Sequence, residues 1–358
     1  MRFTKRKWNL FLLILICLSI GVIIRTFTVE NDTQNMIISL NYCNFSRVVS
    51  LFSSISNKTL SDYQVLHEKP INEYPFKFSN QISQCIDSSL VFLIKSAIPN
   101  QKNRKILRKY FQTFKISRNF SLNWFIFVGI SDMADLDGIK LEMENNNDMI
   151  QVNFKDSYLN NTLKLIAEMY WMRLHLCSDL KIQQRFIFID DDVFINLKNL
   201  YLLLSEVYDK LAIFGHRNVN SLPYRWRWSK WYVSKDQYSS DVYPPYISGS
   251  TIILNKETLK KISYAIPFVK YFPFDDVYLG FVTDLTNIKV INDERILSDY
   301  KCGIFCYEDV EKSIAVHVPN YLSKLEYFYL KNAKRQLFYS LFLDFVLINF
   351  LIATYNYK

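Results

Sequence analysis

One segment constrains the fold more than any other. Residues 186–196 read FIFIDDDVFIN, so four apolar residues in succession end in Asp190, Asp191 and Asp192. A short run that is apolar on both faces is typical of a strand buried in a parallel sheet. In open α/β sheets, ligands bind at the carboxyl ends of the strands, which is where these three carboxylates lie. The segment therefore predicts an α/β fold with a polar site at one edge of its sheet.

The three carboxylates predict a cation site. Adjacent carboxylates between hydrophobic runs repel one another and resist the loss of water unless a cation compensates their charge. Asp190 and Asp192 face the same way in an extended segment, and hard oxygen ligands favour Mn²⁺ or Mg²⁺, which typically also hold substrate phosphates. The alternative is a solvated acidic turn or the N-cap of a helix that begins near Asn196, although a cap needs only one aspartate.

Apolar runs of strand length recur along the chain with helical spacing between them. The strand-like runs lie at residues 90–94, 124–128, 150–154 and 186–189, and the helical patterns at residues 103–114 and 159–177. Strands that alternate with helices indicate βαβ units and a mostly parallel central sheet flanked by helices. A last apolar run, residues 341–352, is too short and too polar to span a bilayer, which favours a packed terminal helix.

The N-terminus predicts a membrane anchor. Residues 1–25 supply five of the nine net positive charges, and residues 8–24 form an apolar run that is also compatible with a cleaved signal peptide. Because the basic cluster precedes this run, the positive-inside rule places the N-terminus in the cytosol and the rest of the chain in a lumen. We predict a cytosolic tail (1–7), a transmembrane signal anchor (8–24), a luminal stem (25–84) and one large domain (85–358).

Two further features fit a luminal location. N-x-S/T sequons begin at Asn31, Asn44, Asn57, Asn119 and Asn160, and such sites are glycosylated in the lumen, although these triplets also arise by chance. Five cysteines follow the apolar run, in a compartment where disulfides persist. Their odd number leaves at least one cysteine unpaired within the monomer.

Composition excludes several classes of function. The chain has seven glycines and contains neither G-x-G-x-x-G nor a Walker A sequence, so it lacks the phosphate cradles of dehydrogenases and P-loop enzymes. The H-E-x-x-H and G-x-S-x-G motifs are absent as well. Beyond residue 25 the remaining positive charge is spread thinly, which argues against a nucleic-acid binder.

Five ordered segments together form a specific pattern. They are FLIKSAIPNQKNRKILRKYF (92–111), VNFKDSYLNNTLK (152–164), FIDDDVFIN (188–196), KWYVSKDQYSSDVYPPYISGS (230–250) and FPFDDVYLG (272–280). This pattern resembles the β-1,3-galactosyltransferase family, whose members also transfer N-acetylhexosamines, and the resemblance covers about residues 85–325. It implies a GT-A-type fold, a UDP-sugar donor, Mn²⁺, inversion at the anomeric carbon, and a catalytic role for the domain 85–358.

The resemblance also implies roles for individual residues. Asp192 is similar to the main metal-binding aspartate of the family, and His317 lies where the family has a late histidine that completes the metal site. A buried strand histidine is an equally good interpretation of His317. Asp276 corresponds to the acidic residue that acts as the base, and Asp275 beside it either raises the pKa of that base or binds acceptor hydroxyls. The two acids also suit the first turn of a helix.

Other residues are expected on either side of the reacting sugar. Those expected near the donor nucleotide and sugar are Arg104, Arg108, Asp190 and Asp191. Those expected on the acceptor side are Trp231, Tyr246 and Asp275. An exposed amphipathic helix would also carry the two arginines, and Lys95 is compatible with ordinary solvent-facing charge. The aromatic segment that includes Trp226 and Trp228 suits either packing against sugar rings or burial in the core.

The sequence thus predicts a Golgi type II membrane enzyme that transfers a hexose or N-acetylhexosamine, with galactose favoured, from a UDP-sugar. The expected product is a β-1,3 linkage to a glycan acceptor on a glycoprotein or glycolipid. The alternative is a catalytically silent, membrane-anchored relative that binds glycans or assists another transferase. Ile247 stands where the family has a cysteine, which predicts that Cys177 has lost its usual partner.

Overall fold

The apolar runs of the sequence become the strands of a central sheet. The computed structural model of the chain describes residues 36–37, 74, 76–79, 85–118, 121–131, 136–177, 184–203, 211–298 and 307–318. Its strands are β1 Met36–Ile37, β2 Lys77–Phe78, β3 Leu90–Lys95, β4 Leu122–Ile130, β5 Met149–Lys155, β6 Arg185–Asp190, β7 Val193–Ile195, β8 Ala212–Gly215, β9 Arg217–Asn218, β10 Tyr246–Ile247, β11 Thr251–Asn255, β12 Lys289–Asn292, β13 Ile296–Leu297 and β14 Ala315–His317. Its helices are α1 Gln101–Arg118, α2 Leu136–Asn145, α3 Asn161–Leu174, α4 Leu197–Leu203, α5 Lys256–Ala265, α6 Asp275–Thr286 and α7 Tyr307–Lys312, with 3₁₀ turns at Tyr158–Asn160 and Ile266–Phe268.

Within the described residues, nine strands form one mixed sheet in the order β1-β2-β5-β4-β3-β6-β11-β8-β12. The central strands β5, β4, β3 and β6 are parallel, as expected of successive βαβ units. The predicted α/β class is confirmed, and the sheet that was predicted to be mostly parallel is mixed. Strand β11 runs antiparallel to both β6 and β8, and β2 runs antiparallel to β5. Hydrophobic composition reports burial and not strand direction, so β11 could not be distinguished from a parallel strand.

Both faces of the sheet are buried, which explains the continuous apolar character of its strands. In β3, Val91 and Leu93 belong to the hydrophobic cluster on one face, and Phe92 and Ile94 belong to the cluster on the other. Phe92 stacks on Phe111 of α1 with a centroid distance of 4.7 Å. Each fully buried side chain of this size contributes about 1.5–3 kcal/mol through removal of apolar surface from water.

The core takes in residues that precede position 85. Phe76 and Phe78 are buried, and the Phe76 ring packs edge-on against Tyr170 of α3 at 6.1 Å. Strand β2 extends the sheet beyond β5, and β1 pairs with β2. The sheet therefore includes segments that the sequence analysis placed in the luminal stem.

A disulfide joins Cys85 to Cys177, with Cα atoms 5.0 Å apart. The neighbouring residues Ile86 and Leu176 form a β-bridge, so the segment entering β3 lies directly beside the segment leaving α3. The loss of its usual partner stays a prediction, and the structure pairs Cys177 with Cys85. Its partner comes from a segment outside the five matched motifs, and only the folded chain brings the two cysteines together.

Several predicted features lie outside the described residues. These are the anchor at residues 8–24, the terminal helix at residues 341–352 and four of the sequons, those at Asn31, Asn44, Asn57 and Asn119. Among the helices in the described part of the chain, none has the length and apolar character needed to cross a bilayer. The fifth sequon asparagine, Asn160, is half-buried at the start of α3, and its side-chain amide donates to the carbonyl of Lys155 at 2.7 Å.

Candidate active site

The carboxyl ends of the parallel strands open onto a large cleft of about 1830 Å³. The turns after β3 and β6, the segment between β9 and β10, and the first turn of α6 line it. The sequence-predicted residues that line it are Asp190, Asp191, Asp192, Trp231, Tyr246, Asp275, Asp276 and His317. Arg104 and Arg108 do not line it.

Asp190, Asp192 and His317 converge within this cleft. Strand β6 ends at Asp190, and the chain turns through Asp192 into β7. Because β14 pairs antiparallel with β7, His317 lies opposite Val193 and reaches the same turn. Ligand atoms of the three side chains all lie within 4.8 Å of one another. Two carboxylate oxygens and one imidazole nitrogen form a donor set that suits a divalent cation.

The orientation of His317 fits a metal ligand. Its Nδ1 donates to the carbonyl oxygen of Ser298 at 2.9 Å, and its Nε2 lies 3.4 Å from Asp192 Oδ1. A backbone carbonyl on one ring nitrogen commonly orients a histidine whose other nitrogen binds a metal. Burial disfavours the imidazolium, but Asp192 outweighs this effect and raises the pKa of His317 to about 9. Metal binding at Nε2 would therefore release a proton.

Lys95 connects the metal group to the start of α6. The parallel register of β3 and β6 places Lys95 beside Asp190, and its Nζ lies 3.1 Å from Asp190 Oδ1. The same ammonium pairs with Asp275 and donates to the carbonyl of Gly249 at 3.0 Å. Burial disfavours its charge, but Asp190 and Asp275 raise the pKa of Lys95 above its usual value. The interpretation of Lys95 as solvent-facing charge is wrong, since its side chain is buried between two carboxylates.

Asp275 and Asp276 occupy the first turn of α6, where the helix dipole favours negative charge. The helix-terminus interpretation of this pair is therefore correct. Asp275 is engaged by Lys95, whereas Asp276 accepts a hydrogen bond from the backbone N–H of Val277 at 2.8 Å. Burial, followed by repulsion from Asp275, raises the pKa of Asp276 to about 7. Such a carboxylate can accept a proton from a hydroxyl near neutral pH.

Asp191 is held by other side chains. Ser96 Oγ donates to Asp191 at 2.6 Å, Asn100 Nδ2 at 3.0 Å and Asn103 Nδ2 at 3.2 Å. Burial raises the pKa of Asp191, and the hydrogen bonds from Ser96 and Asn100 oppose that shift. These contacts fasten the turn after β3 to the turn after β6. A contact between Asp191 and the donor stays a prediction.

Arg104 and Arg108 form a buried ion-pair network outside the cleft. Arg104 donates twice to the carboxylate of Glu142 in α2, at 2.9 and 2.7 Å. Arg108 pairs with Glu142 at 2.5 Å and with Asp148 at 2.8 Å. A contact between these guanidinium groups and the donor stays a prediction; in the structure, Glu142 pairs with both groups and Asp148 with Arg108. The alternative of an exposed helix face is also wrong, since both arginines are buried.

Trp231 and Tyr246, the residues expected on the acceptor side, both line the cleft. Trp231 Nε1 donates to the hydroxyl of Tyr158 at 3.0 Å, and the Lys230 ammonium lies 4.4 Å from the centroid of the Trp231 ring. Tyr246 packs against α6 at Gly280, where an added Cβ would approach the Tyr246 Cβ to 2.8 Å. Glycine at this position permits close contact between α6 and β10.

Sequence reasoning missed three residues in or below the cleft. Lys95 had a usable signal, because a lysine at the end of β3 falls in register with Asp190 once the two strands are taken as parallel neighbours. Tyr158 belongs to the matched segment 152–164. Glu168 gave no signal. It is fully buried in α3 with neither carboxylate oxygen hydrogen-bonded, and burial raises its pKa well above the usual value.

Comparison with known proteins extends these observations. Residues 102–294 match the galactosyltransferase family. The β-1,3-galactosyltransferase brn of Drosophila melanogaster is 31% identical over 54% of this chain and 59% of its own length. Mouse β-1,3-galactosyltransferase 5 is 30% identical over 57% of this chain and 65% of its own length. Human N-acetyllactosaminide β-1,3-N-acetylglucosaminyltransferase 3 is 29% identical over 56% of this chain and 54% of its own length. The chain thus spans less than two thirds of the length of each of these relatives.

Solved structures are similar at a lower level. The bifunctional glycosyltransferase WbbM is 12% identical with a TM-score of 0.40, over 70% of this chain and 50% of that protein. The galactosyltransferase LgtC, in complex with donor and acceptor sugar analogues, is 8% identical with a TM-score of 0.35, over 68% of this chain and 95% of that protein.

Proposed function

This chain belongs to the galactosyltransferase family, and from that premise we propose that it is an inverting glycosyltransferase with a GT-A-type fold. It transfers a hexose or N-acetylhexosamine, with galactose favoured, from a UDP-sugar to a glycan acceptor in β-1,3 linkage. The names of its relatives support this proposal, since two are β-1,3-galactosyltransferases and one is a β-1,3-N-acetylglucosaminyltransferase. All three names contain the β-1,3 linkage, and the sugars in them are galactose and N-acetylglucosamine.

One observation carries the proposal. A three-residue group suited to a divalent cation and a carboxylate with a pKa of about 7 line the same cleft. Lys95 lies between them, paired with Asp190 of the first and with Asp275, the neighbour of Asp276. Sugar transfer from a nucleotide diphosphate needs both parts, one for the leaving group and one for the attacking hydroxyl.

The metal in this proposal is Mn²⁺, held by Asp192 and His317 together with Asp190. When bound, it supplies positive charge that stabilises the diphosphate as it departs. The donor set fits, because the Nδ1 hydrogen bond to Ser298 leaves Nε2 of His317 directed at Asp192. Lys95 holds the Asp190 carboxylate in place from the protein side.

Asp276 acts as the base. It removes the proton of the acceptor hydroxyl while that oxygen forms a bond to the anomeric carbon, and the bond from this carbon to the diphosphate oxygen breaks. The proton ends on Asp276, and the electron pair of the broken bond leaves with UDP. Asp275 is engaged by Lys95, so Asp276 is the carboxylate of the pair that is available to the acceptor. A single displacement of this kind inverts the anomeric configuration.

We further propose that the enzyme is a type II membrane protein of the Golgi. Residues 8–24 anchor it, the catalytic domain faces the lumen, and the acceptor glycan is carried by a glycoprotein or glycolipid. The Cys85–Cys177 disulfide supports a luminal location, because disulfides persist in oxidising compartments. The basic N-terminal cluster supports the orientation.

The proposal is tested by transfer assays on the full chain in detergent. UDP-galactose, UDP-N-acetylglucosamine and UDP-N-acetylgalactosamine are each offered with Mn²⁺ and a mixed panel of glycans that end in galactose or an N-acetylhexosamine. We expect acceptor-dependent release of UDP from one donor, loss of release on chelation of the metal, and a β-1,3 linkage in the product by NMR. Binding of UDP without turnover on any acceptor would instead favour a catalytically silent relative.

A further inference from the structure

A strongly exposed aromatic pair lies at the cleft, in the segment 222–233 between β9 and β10. The side chains of Trp226 and Trp228 are 68% and 87% exposed, and their ring centroids lie 6.0 Å apart with the rings tilted by 56°. The interpretation of these residues as core aromatics is therefore wrong. Two neighbouring indole rings left in water are unusual, because large apolar surface is usually buried unless it binds something.

The backbone around this pair is fixed. The Arg225 guanidinium donates to four carbonyl oxygens, those of Val233, Ser234, Tyr238 and Ser240, at 2.7–3.0 Å. The segment also folds back on itself through backbone hydrogen bonds from Val233 to Tyr224 at 2.9 Å and from Ser229 to Trp226 at 3.0 Å. An ordered loop thus holds the indole rings in place. Ligand binding there would cost little backbone entropy, because the backbone of the loop is already ordered.

The pair is continuous with the proposed acceptor side. Trp226, Trp228 and Trp231 line the same cleft as Asp276, and Tyr224 packs against Trp231 at 5.4 Å. Pockets for drug-sized ligands typically measure about 300–1,000 Å³, whereas this cleft measures about 1830 Å³. The cleft has room for more than a nucleotide sugar and a single acceptor ring.

We propose that Trp226 and Trp228 form a second sugar-binding subsite, which takes the rings of an oligosaccharide acceptor beyond the residue that reacts. This inference rests on the proposed function. Pyranose rings have an apolar C–H face that stacks on an indole ring and polar edges that need donors. Arg227 and Lys230 alternate with the tryptophans and line the same cleft, so both kinds of contact are available. The enzyme would then prefer extended glycans over short ones.

The test is a comparison of acceptor lengths with the full chain in detergent. The probes are N-acetyllactosamine and its two- and three-repeat oligomers, and chitobiose, chitotetraose and chitohexaose, each titrated with and without UDP and Mn²⁺. For at least one series, we expect the wild type to bind the tetrasaccharide about tenfold more tightly than the disaccharide. Trp226→Ala and Trp228→Ala should each remove most of this gain, and Trp228→Phe should retain most of it.

Controls separate this subsite from folding, from the donor site and from membrane contact. Tyr201→Ala, which removes an exposed aromatic ring that does not line the cleft, should leave the gain with length intact. UDP binding in the presence of Mn²⁺ should be unchanged in both tryptophan variants. If UDP fails to bind but the length effect still depends on the tryptophans, the proposed function fails and the glycan subsite stands.

Two results would overturn the subsite. One is a wild-type affinity that does not rise with length in either series, or a rise that persists in both alanine variants. The other concerns a bilayer, since tryptophan and basic residues also suit a membrane interface. The test is quenching of tryptophan fluorescence by brominated phosphatidylcholine in the reconstituted protein. Quenching that is seen in the wild type and disappears in the Trp226→Phe/Trp228→Phe double variant would assign the pair to the membrane.

Discussion

At the scale of single residues, Lys95 holds the candidate site together. Asp190 and Asp275 come from distant parts of the chain and would repel each other across the cleft without the ammonium between them. Breaking a buried ion pair by removing one partner costs about 3–5 kcal/mol, because it leaves uncompensated charge. The same arrangement separates the two acids of α6, since Lys95 engages Asp275 and leaves Asp276 available.

The pKa of Asp276 predicts the pH dependence of transfer. Only the ionised carboxylate accepts a proton, so kcat/KM should rise with pH through an apparent pKa of about 7. In Asp275→Asn the repulsion that raises this pKa is gone, and we expect the acidic limb to move to lower pH by about one unit. The measurement is kcat/KM between pH 5 and 9.

Asp241→Asn is the matched control for this experiment, because it removes an exposed acid paired only with a surface lysine among the described residues. Its profile should overlay that of the wild type. An acidic limb that does not move in Asp275→Asn would show that another group sets the profile and would contradict the assignment of Asp276.

The sequence is informative about single residues only where chemistry is concentrated. Three aspartates directly after a buried strand are enough to predict a polar site. His317 was identified only through the family resemblance. Lys95 and Glu168 were missed because the burial of a charged side chain depends on which neighbours the fold supplies. The burial of Arg104 and Arg108 was missed for the same reason, since their partners lie elsewhere in the chain, Glu142 in α2 and Asp148 in the turn before β5.

At the scale of elements, helix α1 is fastened to α2 by charge. Glu142 receives hydrogen bonds from both Arg104 and Arg108, and Asp148 receives two from Arg108 and one from the indole of Trp124 at 2.7 Å. Arg104 also donates to the carbonyl of Ile98 at 3.0 Å, and this hydrogen bond attaches the turn after β3 to the same network. The network therefore positions the turn after β3, which lines the cleft, although neither arginine lines the cleft itself.

Replacement of Arg108 tests whether its role is structural. We expect Arg108→Met to lower the free energy of unfolding by about 3 kcal/mol, because it leaves buried carboxylate charge without its partner. The KM for the UDP-sugar should change less than threefold. Urea unfolding and donor kinetics measure the two effects, with the exposed Lys109→Met on the same helix as the control. A tenfold rise in donor KM with unchanged stability would restore a donor-binding role for Arg108.

Gly280 lets α6 approach β10. Alanine there should gain up to about 1 kcal/mol in helix propensity, but its Cβ would lie 2.8 Å from the Tyr246 Cβ, which cannot rotate away. Overpacking of this kind typically costs about 1–3 kcal/mol, so we expect a net loss of stability in Gly280→Ala and weaker acceptor binding through displacement of Tyr246. Thermal unfolding and acceptor KM report the two effects, and Gly138→Ala in α2 serves as a comparison outside the cleft. A stabilised variant with unchanged acceptor KM would refute the close-packing argument.

The bounds of the central strands were predicted to within two residues at either end, because apolar runs of strand length between helical patterns are a strong local signal. Strands β8, β11 and β12 were not predicted, and neither was the direction of β11. Strand direction depends on the path of the connecting segments, and the long segment between β9 and β10 has no periodic pattern.

At the scale of the whole molecule, the disulfide links the entrance of the central sheet to the end of α3. Cys85 and Cys177 are 92 residues apart in sequence, so the cross-link restricts a large loop in the unfolded chain. By the chain-entropy argument, a loop of this length contributes about 4.6 kcal/mol to stability.

Cys177→Ser should therefore lower the free energy of unfolding by about 4.6 kcal/mol. Dithiothreitol should destabilise the wild type more than the variant, and the difference between the two should be of similar size. The measurement is urea unfolding with and without the reductant. Equal stability of the wild type under both conditions would mean that the disulfide does not form.

The proposed mechanism depends on the division of the cleft into a metal side and a base side. Calorimetric titration of UDP with Mn²⁺ into the wild type, Asp192→Asn and Asp276→Asn, with transfer rates measured alongside, tests it most directly. We predict that Asp192→Asn loses UDP binding, whereas Asp276→Asn binds UDP within about threefold of the wild type and loses transfer by at least about 10³-fold. Unchanged UDP binding in Asp192→Asn, or substantial transfer by Asp276→Asn, would contradict it.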